Sequence, residues 1–161
     1  MTPHIDMVEA ARVYCDLIDH VDGSNSAWLE QMARVLPRLH AAIAELDQSA
    51  CTSGACSLSQ DLDDRFELFS RLRGLLGERD SYWMEFDVSA DGQYMSGSLA
   101  DDLTDIFCDL KSGLDMIEGH PEEANKALDA WRSSYKAHWG QHLMDAQRHL
   151  YALDARNQLR F

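Results

Sequence analysis

Apolar residues recur at spacings of three and four along almost the whole chain, a period that a helix satisfies and a strand does not. Ile5, Val8, Ala11, Cys15 and Ile18 make the first such stripe, which stops near Asp22-Gly23. The second holds Trp28, Met32, Val35, Leu36, Leu39, Ile43 and Leu46, with Ser24 or Ser26 placed to cap it. Pro37 falls inside it, and a proline there is expected to kink or restart the helix. Ser57-x-x-Gln60 has the form of a capping box and opens a third stripe of Leu62, Phe66, Phe69, Leu72 and Leu76, ended by Gly77.

After a short aromatic segment (Tyr82, Trp83, Phe86) and a polar turn at Asp91-Gly92, Ser98-x-x-Asp101 caps the fourth helix. Its inward face is Leu99, Leu103, Ile106, Leu110, Leu114 and Ile117. Gly119 and Pro121 punctuate the next start. The segment from about 122 to 156 is one long helix or two nearly collinear ones broken at Gly140, with Leu128, Ala146, Leu150 and Leu153 as its core and Tyr135 beside them. Residues 48–58 are the one linker-like stretch, and no internal repeat is present. The expectation is an all-α, up-and-down bundle of five or six helices forming a single domain over residues 1–161.

A chain of 161 residues can bury a core of its own, and 45% hydrophobic with 26% charged residues is ordinary globular composition. Charge is the stiffest functional constraint. Fourteen basic residues stand against 28 acidic ones, a formal −14. Such a surface repels phosphate backbones and anionic headgroups, so nucleic acid and membrane surfaces are excluded as partners and a basic protein is favoured. Met1-Thr2-Pro3-His4-Ile5-Asp6 lacks the basic start of a signal peptide, and no apolar run has the length of a membrane span, so the expected compartment is the cytoplasm. Cys15 lies on an apolar stripe as a small core residue, whereas Cys51 and Cys56 sit in the polar loop at a spacing that makes neither a redox motif nor a zinc knuckle.

The final helix carries the chemistry-bearing side chains. His138 and His142 are four residues apart and share a face, which Asp145 and His149 continue. Two imidazoles at that spacing with a carboxylate a turn later can hold a transition metal such as zinc or iron. The run His138-Trp139-Gly140-Gln141-His142 has the outer spacing of the zinc-protease helix, but Trp139 stands where that chemistry needs a glutamate base. The wheel places His142 at the edge of the core stripe and His138, Asp145 and His149 farther out, which favours a packing role. In the fourth helix Asp101, Asp105 and Asp109 repeat every four residues, the pattern of a solvated face. Asp102 and Asp109 flank its core stripe and would meet His138 or Arg132 if the two helices pack side by side. A diiron centre of the bundle type needs inward Glu-x-x-His pairs, and the sequence has none. Nucleotide-binding and nucleophile-elbow motifs are likewise missing from it.

Three stretches together resemble one bacterial family. They are Arg34-Val35-Leu36-Pro37-Arg38-Leu39-His40-Ala41-Ala42, then Tyr82-Trp83-x-x-Phe86-Asp87 with Ser98 to Ile106, and Trp131-Arg132-Ser133-Ser134-Tyr135-x-x-His138-Trp139-Gly140-x-His142. The chain is similar to domain-of-unknown-function family 5063, a group of uncharacterised helical proteins. The resemblance implies an all-helical bacterial protein and assigns no activity. Its motif residues Asp101, Asp102, Asp105, Trp131, Tyr135, His138, Trp139 and His142 come from two helices and form one patch if those helices are neighbours, either a polar lock or a partner surface. Two functions follow as expectations. The first is a non-enzymatic module, toxin-neutralising or adaptor-like, that engages a basic partner without a cofactor. The second is a metal-binding protein or metal-dependent enzyme built on His138 and His142, completed by Asp145, His149 or Asp102.

Overall fold

The computed structural model describes residues 3–46, 61–85 and 94–161, and within them six α-helices form one bundle. They are α1 (Pro3–Asp19), α2 (Trp28–Glu45), α3 (Leu62–Leu76), α4 (Leu99–Gly119), α5 (Ala124–Ser134) and α6 (Gly140–Ala155). The loop 48–58, Cys51, Cys56, the Ser57–Gln60 capping box, Phe86 and the Asp91-Gly92 turn lie outside the described residues.

Helix α4 is the hub, packing against α1, α3, α5 and α6. That position follows from its composition, since Leu99, Leu103, Ile106 and Leu110 are all fully buried. Burying four such side chains removes enough apolar surface to contribute roughly 6–12 kcal/mol before entropy is counted. In α1 the buried set is Met7, Ala11, Tyr14, Cys15 and Ile18, and Val8 is only partly buried. Tyr14 turns inward because its hydroxyl has a buried acceptor, donating to the Leu103 carbonyl at 2.6 Å.

The structure revises several local expectations. Helix α1 ends at Asp19, ahead of Asp22-Gly23. Helix α2 runs through Pro37 without interruption, its turn held by buried Val35, Leu36 and Leu39 on either side. Neither Ser24 nor Ser26 caps it: Ala27 occupies the cap position with no side-chain bond, and the Ser24 hydroxyl donates to Asp22 instead. Helix α3 is capped by Asp61, which accepts from Asp63 N at 2.9 Å. Its buried face is Leu68, Leu72 and Leu76, while Leu62 and Phe66 are exposed. An ion pair sets that rotation, because Arg65 lies one turn before Leu68 and reaches inward to α4.

Between α3 and α4 the aromatic segment is a β-hairpin, β1 (Ser81–Glu85) antiparallel to β2 (Tyr94–Ser98), with Tyr82 opposite Gly97 and Trp83 opposite Ser96. The run Ser-Tyr-Trp-Met-Glu is short, and its alternation with aromatic residues suits a strand. Gly97 leaves room for the Tyr82 ring, since a Cβ there would lie 2.2 Å from it.

The segment after Pro121 is helical throughout, but α5 and α6 are joined by a π-turn over Tyr135–Trp139. Gly140 permits the turn: a Cβ at that position would meet the Tyr135 carbonyl at 2.5 Å. The Trp139 indole N–H anchors it on the Trp131 carbonyl and the Ser134 hydroxyl, both at 3.0 Å.

Candidate metal centre

Helices α4 and α6 lie side by side. The aspartates of the first face the histidines of the second. His142 uses both ring nitrogens on carboxylates, Nδ1 at 2.7 Å from Asp102 Oδ1 and Nε2 at 3.0 Å from Asp105 Oδ2. His138, held by the π-turn one helical step earlier, places Nδ1 at 3.2 Å from Asp109 Oδ2 and Nε2 at 3.6 Å from the same Asp105 oxygen. The two imidazole rings meet edge to face with centroids 4.9 Å apart. One donor atom from each of Asp105, His138 and His142 lies within 4.8 Å of the other two.

A second layer fixes these groups. Arg65 from α3 donates Nε to Asp105 Oδ1 at 2.9 Å and reaches Asp101 at 3.1 Å, so it holds the Asp105 carboxylate from behind. Tyr82 from the hairpin donates its hydroxyl to Asp102 at 2.5 Å. Asp102 and Asp105 are buried, Asp109 is half-buried, and the outer edge of His138 is open to solvent at 49% side-chain exposure.

Burial alone would pull the His142 pKa down, but its hydrogen bonds to Asp102 and Asp105 and their charges win and push it up to about 10. Burial would also raise Asp105, and the bonds from His142 and Arg65 instead hold it below the usual carboxylate value. For Asp102 and Asp109 burial prevails and the carboxyls titrate above it. His142 is thus an imidazolium at neutral pH that donates from Nδ1 to Asp102 and from Nε2 to Asp105.

The structure brings together six of the residues expected from the sequence, Asp101, Asp102, Asp105, Asp109, His138 and His142. It separates the rest. Trp131 and Trp139 are fully buried core, and Tyr135 packs edge-on against Trp139. Asp145 is not among the donors that converge at Asp105, His138 and His142. His149, expected outside the core stripe, is buried instead; its Nε2–H donates to the Arg79 carbonyl at 2.6 Å and its ring stacks on Tyr82. The Asp101, Asp105, Asp109 repeat is not a solvated face, because Arg65, His138 and His142 pack their polar ends against it. Arg132 does not reach these acids; its closest carboxylate is Asp129 at 3.7 Å. Arg65 is the member that sequence analysis missed. Its only signal is a lone arginine in register with Leu68, Leu72 and Leu76.

No described helix is long and apolar enough to cross a membrane. The chain is similar in fold to the crystal structure of protein BF1032 from Bacteroides fragilis, with a TM-score of 0.73 and 20% identity over 92% of this chain and 90% of that one. No curated protein matches it. The profile of a domain of unknown function, DUF5063, matches residues 3–156, nearly the full length, and the chain belongs to that family.

Proposed function

We propose that this protein binds a divalent transition metal through His138 Nε2, His142 Nε2 and Asp105 Oδ2. One observation carries the reading: both Nε2 atoms face a single carboxylate oxygen, at 3.6 and 3.0 Å. Bonds of 2.0–2.1 Å at tetrahedral angles separate neighbouring ligand atoms by about 3.3 Å, the midpoint of those two distances. Two lone-pair nitrogens and a carboxylate oxygen aimed at one point also repel unless a positive charge lies between them, either a proton or a metal.

The outer contacts support the same conclusion. Each imidazole donates Nδ1–H to a carboxylate, Asp102 for His142 and Asp109 for His138. A metal would take the place of the proton that His142 Nε2 directs at Asp105, and the Nδ1 contacts would hold both rings in orientation for it. The donor set, two imidazoles and one carboxylate, suits zinc or ferrous iron. Of the ligands expected from sequence, the histidine pair is kept, Asp105 replaces Asp145 and His149, and Asp102 moves to a supporting position.

The deciding experiment is elemental analysis of untagged protein dialysed against trace zinc, beside a His138→Ala, His142→Ala double variant. One zinc per chain, lost in a variant that remains helical by circular dichroism, is the expected result. A zinc-free wild type would refute the proposal.

A second reading, engagement of a basic protein partner, is favoured by the −14 charge together with two exposed aromatics on the hairpin, Trp83 and Tyr94. Binding of that kind weakens steeply as salt approaches physiological ionic strength. Salt-insensitive binding of a partner, or binding unchanged by Trp83→Ala, would argue against it.

A further inference from the structure

We infer that the cleft between β1 and α6 binds a flat aromatic monocarboxylate, its ring on Trp83 and its carboxylate on Arg148 and Arg156. The site stands apart from the metal reading and does not depend on it.

The cleft encloses about 340 Å³, the size of a small-molecule site, with the start of β1 on one side and one face of α6 on the other. Arg148, Ala152 and Arg156 follow at spacings of four, so they share that face, and the short Ala152 leaves space between the two long side chains. Trp83 supplies the apolar surface. Its side chain is 72% exposed, whereas Trp28, Trp131 and Trp139 are fully buried. An indole held at a cleft in this way offers a flat face on which a ring can stack.

Charge selects the ligand. Among the described residues neither guanidinium forms an ion pair with a carboxylate, so both keep their donors for a ligand. Asp145 lines the same cleft and its charge is felt by Arg148, but the two do not pair. His149 is neutral at pH 7, because burial lowers its pKa, and its ring is already stacked on Tyr82. The Tyr82 hydroxyl is spent on Asp102, which leaves Ser81 as the one further hydroxyl. Of the nearby acids outside the cleft, Asp80 accepts from Ser98 and the Ala100 N–H, and Asp154 lines a different groove against α2. Two arginines against one aspartate leave a single positive charge. The acids behind the −14 total are screened over about 8 Å at physiological ionic strength, so these nearby groups set the local sign. One net charge balances a monoanion and repels a cation, and a planar guanidinium fork matches a carboxylate.

Titration calorimetry of the full chain with 2-naphthoate tests the assignment. A chelator is kept in the buffer, so that no metal contributes to carboxylate binding. Saturable one-to-one binding is expected, at least about tenfold tighter than that of the cation 2-naphthylmethylammonium. Arg148→Gln and Arg156→Gln should each weaken it about tenfold, the loss of a charge-assisted hydrogen bond. Trp83→Ala should weaken it as well and Trp83→Phe should restore most of the loss. All three positions are exposed, and unchanged circular dichroism is expected throughout. Wild-type fluorescence gives a check that needs no variant: Trp83 is the indole open to quenchers, and iodide should quench it more than caesium does. No heat with 2-naphthoate, or affinity untouched by both arginine variants, would overturn the site. Stronger quenching by caesium, or tighter binding of the ammonium compound, would also overturn it and return Trp83 to a basic partner.

Discussion

His138 and His142 present their Nε2 atoms to the same oxygen of Asp105 while their Nδ1 atoms rest on different aspartates, Asp109 and Asp102. The two histidines are equal partners toward a metal and unequal partners toward the fold. His142 is mostly buried between two buried carboxylates, whereas His138 is half exposed. His142→Ala should lower the stability of the metal-free protein by about 2–3 kcal/mol, somewhat below the cost of breaking a fully buried pair. His138→Ala should cost under about 1 kcal/mol, as for an exposed pair. Urea denaturation in the presence of a chelator separates the two, and equal losses would contradict the assigned environments.

Ligand and supporting carboxylates should also separate. Asp105→Asn is expected to abolish metal retention. Asp102→Asn and Asp109→Asn, which act only through the orientation of an imidazole, should weaken affinity roughly 10–100-fold at unchanged stoichiometry. Competition with a zinc chelator measures all three. Loss of stoichiometry in Asp109→Asn would make that residue a ligand.

Acid stability should carry the signature of His149. Its pKa is lowered by burial, outweighing the hydrogen bond to the Arg79 carbonyl. The unfolded chain therefore takes up this proton at a higher pH than the native protein does. Stability is complete above the unfolded value of about 6.5 and falls as pH drops below it toward the folded value. Exchanging His149 for Gln, which keeps a donor for Arg79, should flatten the fall in unfolding free energy between about pH 7.5 and 5.5. An unchanged slope would show that other groups control this limb.

Gly113 tests the α4–α5 contact. A Cβ there would lie 2.2 Å from Nε1 of Trp131, whose indole also donates to the Asp109 carbonyl. Gly113→Ala gains helix propensity but forces a buried tryptophan to move, so a net loss of about 1–3 kcal/mol is expected in thermal or chemical unfolding. A stabilised variant would mean that this interface yields easily.

The helices were legible because their stripes are long. Leu99, Leu103, Ile106, Leu110 and Leu114 of α4, and Ala146, Leu150 and Leu153 of α6, are buried as their spacing requires. The hairpin was not, since five residues of alternation cannot be told from a loop and Tyr82 is explained only by the Asp102 it reaches. Pairing of the α6 histidines with α4 acids was legible in outline. Its members were not, because a repeat of Asp101, Asp105 and Asp109 looks solvated until Arg65 arrives from a helix 36 to 40 residues away in sequence. His149 escaped for a related reason: its buried acceptor is a backbone carbonyl, which no side-chain pattern reveals.

The most direct measurement of the central claim is X-ray absorption at the zinc edge of the loaded protein. The expected spectrum has two imidazole rings and oxygen in a first shell at about 2.0–2.1 Å. A first shell of oxygen alone, or of sulfur at about 2.3 Å, would contradict it.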